Sequence, residues 1–445
     1  MSQASLETRF ANMPPLAAAK AYLADAVLQA GAVPAEAPST ADIQHIGVVG
    51  AGTMGRGIVL AFVNSGRKVT LIDPSQAALD NARAHIQKLT QRQVSKGRID
   101  DASALALLDR VAYGRDVSVL APVDLVVEVV PEIIALKQKV LSELCEICGP
   151  NTILASNTST LDIEAIATAT GAPERVIGTH FFVPAQANKL LEIIPSKLTA
   201  PSVLATILAL AKDLKKHAVV AGNRDGFIGN RLFDRFHQEA MYLLEEGALP
   251  GDIDTALEEW GMLIGPFKAL DLIGNDIPWG VRQQRAKNDP TLVQPRVGDA
   301  LCEAGLFGQK TGKGWYLYDA QNPQGRAYDE GGDLIAGVCD QLGKTRRAIS
   351  ANEIVNRCVL ALIREAWALV EEGVAQRETD VDMVYVTGYG FPAARGGPFA
   401  LGHQFGLRNV VDMVQYYGAF TGQSETIWSL PETLKIAAGA AHEDV

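Results

Sequence analysis

The chain of 445 residues has a net charge of −11, with 48% hydrophobic and 20% charged residues. This length exceeds what one hydrophobic core supports, so we expect two to four domains. The acidic balance argues against a general nucleic-acid or anionic-membrane binder. No uncharged apolar run approaches the roughly 18 residues that span a bilayer. We therefore expect no nucleic-acid and no membrane partner.

The two ends of the chain carry no sorting address that we recognise. The start, MSQASLETRF, lacks the basic and apolar parts of a signal peptide, and the end, AAHEDV, is not an SKL-type address. We therefore expect a cytoplasmic, reducing location. Cys145 and Cys148 form a C-x-x-C pair inside an amphipathic stretch, but no second pair accompanies it. We expect ordinary helix cysteines and no metal.

The first elements in chain order lead to a glycine turn. Residues 1–40 are rich in Ala, Pro and Ser; they predict a helix over 14–30 and a linker over 33–40. An apolar run over 45–50 predicts a buried strand that enters the turn. A helix and a second strand, KVTLID, follow. Together they predict one βαβ unit.

Further apolar runs alternate with helical stretches up to Asp225. They read DLVVEVV, TILASN, RVIGTHFF and KLLEIIP. This alternation predicts a mostly parallel, doubly wound sheet, which is an α/β fold of the Rossmann type. Beyond Asp225 the chain is mainly helical, apart from turns such as FGQKTGKGWYLYD.

The helical part contains an internal repeat. Asn230-Arg231 recurs as Asn356-Arg357, and the glutamates and alanine that follow match at the same offset of 126 residues. The copies meet again at two later motifs, D-x-D and G-P-F. We therefore predict two tandem, duplicated all-α domains after the α/β domain. The expected segments are an N-terminal extension 1–40, a nucleotide domain 41–225, helical copies 226–325 and 349–445, and a connection 326–348.

The turn after the first strand matches a dinucleotide fingerprint. Gly50, Gly52 and Gly55 form G-x-G-x-x-G with the strand before it and the helix after it that the motif requires, and Thr53 and Met54 lie inside it. Asp73 ends the second strand, where a carboxylate binds ribose hydroxyls and repels a 2′-phosphate. These residues predict an NAD site; a glycine turn without a ligand is the alternative.

A histidine closes one of the predicted strands. His180 would therefore lie at the carboxyl edge of the sheet, where open α/β folds bind ligands. Imidazole suits the removal of a hydroxyl proton, since its ordinary pKa is about 6.5. Glu192 follows twelve residues later in an apolar run, where a carboxylate usually has a partner. We predict a catalytic pair; a core histidine is the alternative.

Several motifs around this pair resemble one family. SNTSTLDI, GTHFFVP, KLLEIIPS, GFIGNR and FGQKTGKGWYLYD are similar to motifs of the L-3-hydroxyacyl-CoA dehydrogenases. With the duplication, the likeness is closest to the dehydrogenase half of multifunctional β-oxidation enzymes, over roughly residues 42–440. The resemblance implies the same roles for His180 and Glu192.

The resemblance also implies further site residues. Ser159 and Asn230 would bind the reacting oxygen or the thioester region, although both positions also suit helix caps. Asn157, Glu132 and Lys137 would lie near the cofactor, with a turn residue and a solvated helix pair as alternatives. Lys96 would face the CoA phosphates, unless it is only an exposed helix end.

One position departs from the family pattern. The usual HFFNP reads HFFVP here, so Val183 removes one hydrogen bond expected near the nicotinamide. Asn356 repeats Asn230 without a histidine or cofactor motif of its own. We therefore expect a single active site, between the nucleotide domain and the first helical copy.

The duplication predicts a monomer whose two helical copies mimic a dimer. Few residues precede the fingerprint, so we expect no hydratase activity. The predicted function is reversible, NAD-dependent oxidation of (3S)-3-hydroxyacyl-CoA. The alternatives are a dehydrogenase for a β-hydroxy acid without CoA and a catalytically retired NAD-binding or structural protein.

Overall fold

The computed structural model describes residues 3–32, 41–423 and 427–440. The predicted linker over 33–40 lies outside these residues. The chain divides into two compact units. The sheet unit comprises Ala21–Asn230 and Glu372–Gly388, and the helical unit comprises Met1–Lys20, Arg231–Glu371 and Tyr389–Val445. The five segments expected from the sequence remain a prediction.

The sheet unit is built on one sheet of eight strands among the described residues. Their order across the sheet is β3-β2-β1-β4-β5-β6-β7-β8. The strands are β1 His45–Val49, β2 Lys68–Ile72, β3 Val111–Gly114, β4 Leu125–Glu128, β5 Ile153–Ser156, β6 Val176–Phe181, β7 Leu190–Pro195 and β8 His217–Val220.

Seven helices accompany these strands along the chain, and they are α2 Ala19–Ala30, α3 Thr53–Asn64, α4 Gln76–Ser95, α5 Asp101–Leu108, α6 Ile134–Ile147, α7 Ile163–Ala167 and α8 Pro201–Asp213. Cys145 lies in α6 and Cys148 directly follows it, as expected of helix cysteines.

The sheet confirms the predicted parallel, doubly wound arrangement. Only β6 and β7 pair in antiparallel fashion, because the connection between them is too short for a crossover helix. β1 lies between β2 and β4, so the winding reverses there, and open α/β sheets bind ligands at such a point. The carboxyl ends of β1, β4, β5 and β6 therefore share one edge of the sheet.

The predicted repeat is visible in the helices that follow. The long helices α9 Gly229–Glu246 and α15 Ala351–Glu371 begin the two copies. The later G-P-F motifs both start a helix with proline as the first helical residue, where its missing N–H costs nothing. The remaining helices are α1 Gln3–Ala11, α10 Pro250–Trp260, α11 Pro266–Ile273, α12 Asp276–Asn288, α13 Val297–Glu303, α14 Asp329–Gln341, α16 Glu378–Tyr389, α17 Pro398–Phe405, α18 Leu407–Thr421 and α19 Glu432–Ala440.

Short 3-10 turns complete the described structure, at Val117–Leu120, Pro173–Arg175, Gln309–Thr311 and Ala393–Arg395. The third belongs to the segment predicted as turns from FGQKTGKGWYLYD. Within the described ranges, no helix combines the length and apolar character that a bilayer crossing requires.

Candidate active site

The glycine turn between β1 and α3 has the geometry of a phosphate cradle. Gly50 has φ +114°, and a Cβ there would lie 2.9 Å from the Val129 carbonyl oxygen. A Cβ on Gly55 would lie 1.8 Å from the Gly50 oxygen, so only glycine allows this approach. A Cβ on Gly52 would meet nothing within 4 Å among the described atoms. The turn is therefore closely packed at Gly50 and Gly55 and open at Gly52.

The start of α3 leaves its first N–H groups available to an anion. Gly52 is the N-cap and supplies no side-chain acceptor. Thr53 and Met54 are the first helical residues; Thr53 is exposed and Met54 packs partly on the apolar core. Exposed N–H groups and the helix dipole favour a phosphate at this point. The predicted residues therefore fit the pyrophosphate of a dinucleotide.

Asp73 lies immediately beyond β2 and beside the glycine turn. Its Oδ2 accepts a hydrogen bond from the Ala51 N–H at 2.9 Å, and its Oδ1 accepts one from the Ser75 N–H at 2.9 Å. These two bonds fix the carboxylate, which can accept further hydrogen bonds. The side chain is half-exposed. It is therefore placed to bind hydroxyl groups next to the turn.

His180 and Glu192 form a buried pair across two strands. The antiparallel register of β6 and β7 sets the two residues directly opposite each other. His180 Nδ1 lies 2.8 Å from Glu192 Oε2, and the two residues are 7% and 0% exposed. Since a carboxylate oxygen accepts, Nδ1 donates, and Nε2 keeps its lone pair. This tautomer is the one that a proton acceptor needs.

Glu192 is held by more than the histidine. Its Oε1 accepts hydrogen bonds from the N–H groups of Ile228 and Gly229, at 3.1 and 2.9 Å. These groups belong to the segment that enters α9. The ring centroids of Phe182 and Phe227 lie 4.3 and 5.8 Å from the centroid of the His180 imidazole. The pair is therefore oriented on one side by backbone donors and enclosed by aromatic rings.

Lys137 and Glu132 belong to a chain of charged residues that begins at the buried Glu128 and ends at the exposed Glu132. Lys137 is 1% exposed, and its Nζ lies 2.9 Å from Glu128 Oε1 and 3.4 Å from Glu132 Oε2. Glu128 is fully buried and also accepts from the Ser156 hydroxyl at 2.7 Å. The alternative of a solvated helix pair is therefore wrong for Lys137. The lysine bridges the ends of the strands and the loop that carries Glu132.

Glu132 organises the loop that contains Ser159. Its Oε1 accepts from the Ser159 N–H at 2.8 Å and from the Thr158 hydroxyl at 2.5 Å. Desolvation raises the pKa of Glu132, but Lys137 and these hydrogen bonds outweigh it and lower the pKa below its usual value. The carboxylate is therefore ionised at neutral pH and accepts hydrogen bonds from Thr158, Ser159 and Thr160.

The remaining predicted residues fall into two groups. Asn157 accepts from the Phe181 N–H at 2.8 Å and so ties the end of β5 to β6. Asn230 Nδ2 donates to the Ser159 carbonyl at 3.3 Å, which joins these two residues. Lys96, by contrast, is an exposed residue at the end of α4. Nothing in its contacts distinguishes it from an ordinary helix end.

Two parts of this site escaped the sequence analysis. Glu128 lies inside the apolar run DLVVEVV, and an acidic residue in such a run was itself a signal of a buried partner. The two backbone donors to Glu192 follow from the turn at Gly226 and Phe227, both of which have positive φ. Positive φ at a non-glycine residue has no clear signature in the sequence. Val183 is 62% exposed and directly follows Phe182.

Comparison with known families gives two matches that cover most of the chain. Residues 45–224 match the family described as "3-hydroxyacyl-CoA dehydrogenase, NAD binding domain". Residues 226–318 and 354–436 each match "3-hydroxyacyl-CoA dehydrogenase, C-terminal domain". The second family therefore matches twice, which confirms the duplication expected from the repeat.

Individual proteins extend the likeness. The "Peroxisomal bifunctional enzyme" of Cavia porcellus is 39% identical over 391 residues, which cover 84% of this chain and 53% of that one. The chain thus spans about half the length of the curated relatives that it matches. The (S)-3-hydroxybutyryl-CoA dehydrogenase of Ralstonia eutropha is 34% identical, with a TM-score of 0.60 over 62% of this chain and 100% of that one. The dehydrogenase part of multifunctional enzyme 1 of C. elegans is 25% identical, with a TM-score of 0.68 over 95% and 97% of the two chains.

The relatives correct the expected location. The animal relatives are named peroxisomal enzymes, and plant relatives are named glyoxysomal or peroxisomal. The expectation of a cytoplasmic protein is therefore wrong. The expectation rested on finding no recognised sorting address in the printed sequence, and the absence of such an address does not tell which compartment holds the chain.

Proposed function

The chain belongs to the 3-hydroxyacyl-CoA dehydrogenase family, and we propose that it catalyses the reversible NAD-dependent oxidation of (3S)-3-hydroxyacyl-CoA to 3-ketoacyl-CoA in fatty-acid β-oxidation. The observation that carries this proposal is the buried contact of 2.8 Å between His180 Nδ1 and Glu192 Oε2 at the carboxyl edge of the sheet. The glycine turn lies at the same edge, beyond β1. Base and cofactor site therefore belong to one ligand-binding edge.

In the proposed mechanism His180 moves the proton. In the oxidation direction, Nε2 accepts the proton of the substrate hydroxyl, and the imidazolium that forms donates from Nδ1 to Glu192. In the reduction direction, the imidazolium returns that proton to the carbonyl oxygen. The buried carboxylate stabilises the charged ring in both directions, since charge-assisted hydrogen bonds strengthen where water is excluded.

NAD supplies the hydride acceptor when it is bound. Gly50, Gly52 and Gly55 would hold its pyrophosphate against the start of α3. Asp73 would accept from the adenosine ribose hydroxyls and would repel the 2′-phosphate of NADP. Asn157, Glu132 and Lys137 would support the nicotinamide end through the loop that they organise.

Ser159 and Asn230 are proposed for the substrate side. The two residues are already joined by a hydrogen bond, and both carry uncharged donors. Such donors would steady the reacting oxygen without neutralising His180. Lys96 is proposed to meet the CoA phosphates, on the strength of the family resemblance alone.

The test is a comparison of substrates with the pure protein. NADH oxidation should proceed with acetoacetyl-CoA and fail with free acetoacetate, and NADPH should be a poor substitute for NADH. Equal rates with acetoacetate would favour a dehydrogenase for a β-hydroxy acid without CoA. NADH binding without turnover of any 3-ketoacyl-CoA would favour a retired NAD-binding protein.

We also propose that the chain is a monomer in which the two helical copies form an internal pseudo-dimer. Arg231 Nε donates to Glu365 Oε1 at 2.9 Å, and Arg357 Nε donates to Glu239 Oε1 at 2.5 Å. These residues are repeat equivalents, so each copy gives its arginine to the other copy's glutamate. Reciprocal pairing is the mark of a two-fold interface. A stable dimer at low micromolar concentration, measured by light scattering, would contradict the proposal.

A further inference from the structure

The N-terminal helix α1 lies on the second helical copy with one apolar stripe. Leu6 and Phe10 are one helical turn apart, Met13 continues the stripe, and all three are buried. The Phe10 ring meets the Phe405 ring edge-on, with centroids 4.8 Å apart. The helix therefore has a specific partner surface, built by α15, α17 and α18.

The chain beyond α1 is tied down by backbone contacts. The Leu16 N–H donates to the Ala394 carbonyl at 2.8 Å, and Arg395 donates to the Met13 carbonyl at 2.8 Å. Gln404 donates to the Pro14 carbonyl at 3.1 Å. Residues 3–16, which we call the N-terminal clamp, are thus fixed at several points along their length.

The clamp contacts the second helical copy at Asn356. Asn356 is the repeat equivalent of Asn230, and it is fully buried beneath α1. Its Nδ2 donates to the Glu7 carbonyl at 3.1 Å, and Tyr417 donates to the Glu7 carboxylate at 2.9 Å. The Asn356 Oδ1 has no partner among the described residues. The second asparagine is therefore sealed in, with half of its hydrogen-bonding capacity unused.

The side-chain amides of the two asparagines donate to backbone carbonyls in different parts of the chain. Asn230 Nδ2 donates to the carbonyl of Ser159, in the loop after β5, and Asn356 Nδ2 donates to the carbonyl of Glu7, in α1. An exposed asparagine at the start of a long helix would be open to a ligand. A buried one is satisfied by whichever backbone covers it. In the second copy that backbone is the clamp.

We propose that the N-terminal clamp replaces, in the second helical copy, the loop after β5 that contacts the first copy. The clamp covers Asn356, the repeat equivalent of the substrate-side Asn230. With the clamp in place, Asn356 reaches no substrate, and the apolar surface around Phe405 and Tyr417 is covered. The clamp stabilises the second copy and takes no part in the reaction of the first.

The experiment uses the full chain with Phe10→Glu, which places a carboxylate against the Phe405 ring. Ser5→Glu is the matched control, since Ser5 lies on the exposed face of the same helix. Limited proteolysis of residues 12–18 should be about 10- to 100-fold faster in Phe10→Glu than in the control, because loss of a buried ring raises the population of the open segment. The kcat with acetoacetyl-CoA and the affinity for NADH should match the control.

Two results would overturn the proposal. Cleavage of Phe10→Glu at the rate of Ser5→Glu would mean that the stripe does not hold the segment. A fall of kcat in parallel with the cleavage would mean that the second copy contributes to the reaction. If Phe10→Glu does not yield folded protein, Tyr417→Phe serves instead, because it removes one hydroxyl and should still speed cleavage. The proteolysis readout and NADH binding do not depend on the proposed activity, so the two proposals can fail separately.

Discussion

Replacing Glu192 by glutamine separates the charge of this side chain from its shape. The two backbone N–H groups of Ile228 and Gly229 donate to one of its oxygens and demand an acceptor there. In Glu192→Gln the amide oxygen has to take that place, so the amide NH₂ points at His180 Nδ1. The ring then becomes an acceptor at Nδ1 and carries its proton on Nε2. This tautomer cannot accept a proton from a substrate hydroxyl.

The size of the effect follows from two losses. Hydrogen bonds to charged groups contribute about 1.5–3 kcal/mol, and the imidazolium loses its carboxylate partner. The wrong tautomer removes general base catalysis, which is worth about 10²- to 10⁴-fold in rate. We therefore predict that kcat falls about 10²- to 10⁴-fold, in both directions of the reaction. The KM for acyl-CoA should change little, because Glu192 is buried behind the histidine.

The assay is steady-state NADH oxidation with acetoacetyl-CoA, with circular dichroism to check the fold. Asp254→Asn is the control for removal of a buried carboxylate, since Asp254 accepts two backbone N–H groups in the helical unit, at 2.9 and 3.0 Å. It should lower stability and leave kcat essentially unchanged. A folded Glu192→Gln enzyme with a kcat close to that of the wild type would refute the reasoning.

Three further predictions concern other parts of the chain. Val183→Asn restores the amide of the family pattern and should tighten NADH binding by about 10-fold, the value of roughly one hydrogen bond; fluorescence titration measures it. The pKa of Glu365 is about 2, since its buried carboxylate is surrounded by arginines that outweigh desolvation. By linkage, this lowered pKa stabilises the folded state by about 3 kcal/mol above pH 4.5, and the effect is lost as pH falls towards 2. Glu365→Gln should therefore lower the free energy of unfolding, measured in urea, by more at pH 7 than at pH 3. Burial lowers the pKa of Lys216 to about 8. Between pH 8 and 10.5 the unfolded chain therefore binds more protons than the folded chain, so the free energy of unfolding rises with pH. Lys216→Met should flatten that rise in the same urea unfolding assay.

The parts of the site that could be predicted from sequence are those with local patterns. A strand, a glycine turn and a helix follow one another in the chain, so the fingerprint at Gly50 locates itself. The pairing of His180 with Glu192 was also within reach, because an acidic residue in an apolar run needs a partner. The number of residues between them suits a short hairpin, and the register of β6 and β7 sets them opposite each other.

Other features depend on contacts between distant parts of the chain. β3 and β8 lie at the two edges of the sheet and are only partly buried, so neither forms a continuous apolar run, and the sequence analysis did not identify them. The bond between Glu128 and Lys137 joins the end of a strand to a helix across an irregular loop. The role of α1 is visible only where Glu7 covers Asn356, because nothing local to either segment indicates the other.

The most direct test of the central claim is the rate of acetoacetyl-CoA reduction by His180→Gln, with NADH binding measured in the same preparation. The account predicts a loss of about 10²- to 10⁴-fold in kcat, since the general acid–base group is gone, with NADH affinity retained because the glycine turn and Asp73 are untouched. A His180→Gln enzyme that binds NADH and turns over acetoacetyl-CoA at the wild-type rate would contradict the account.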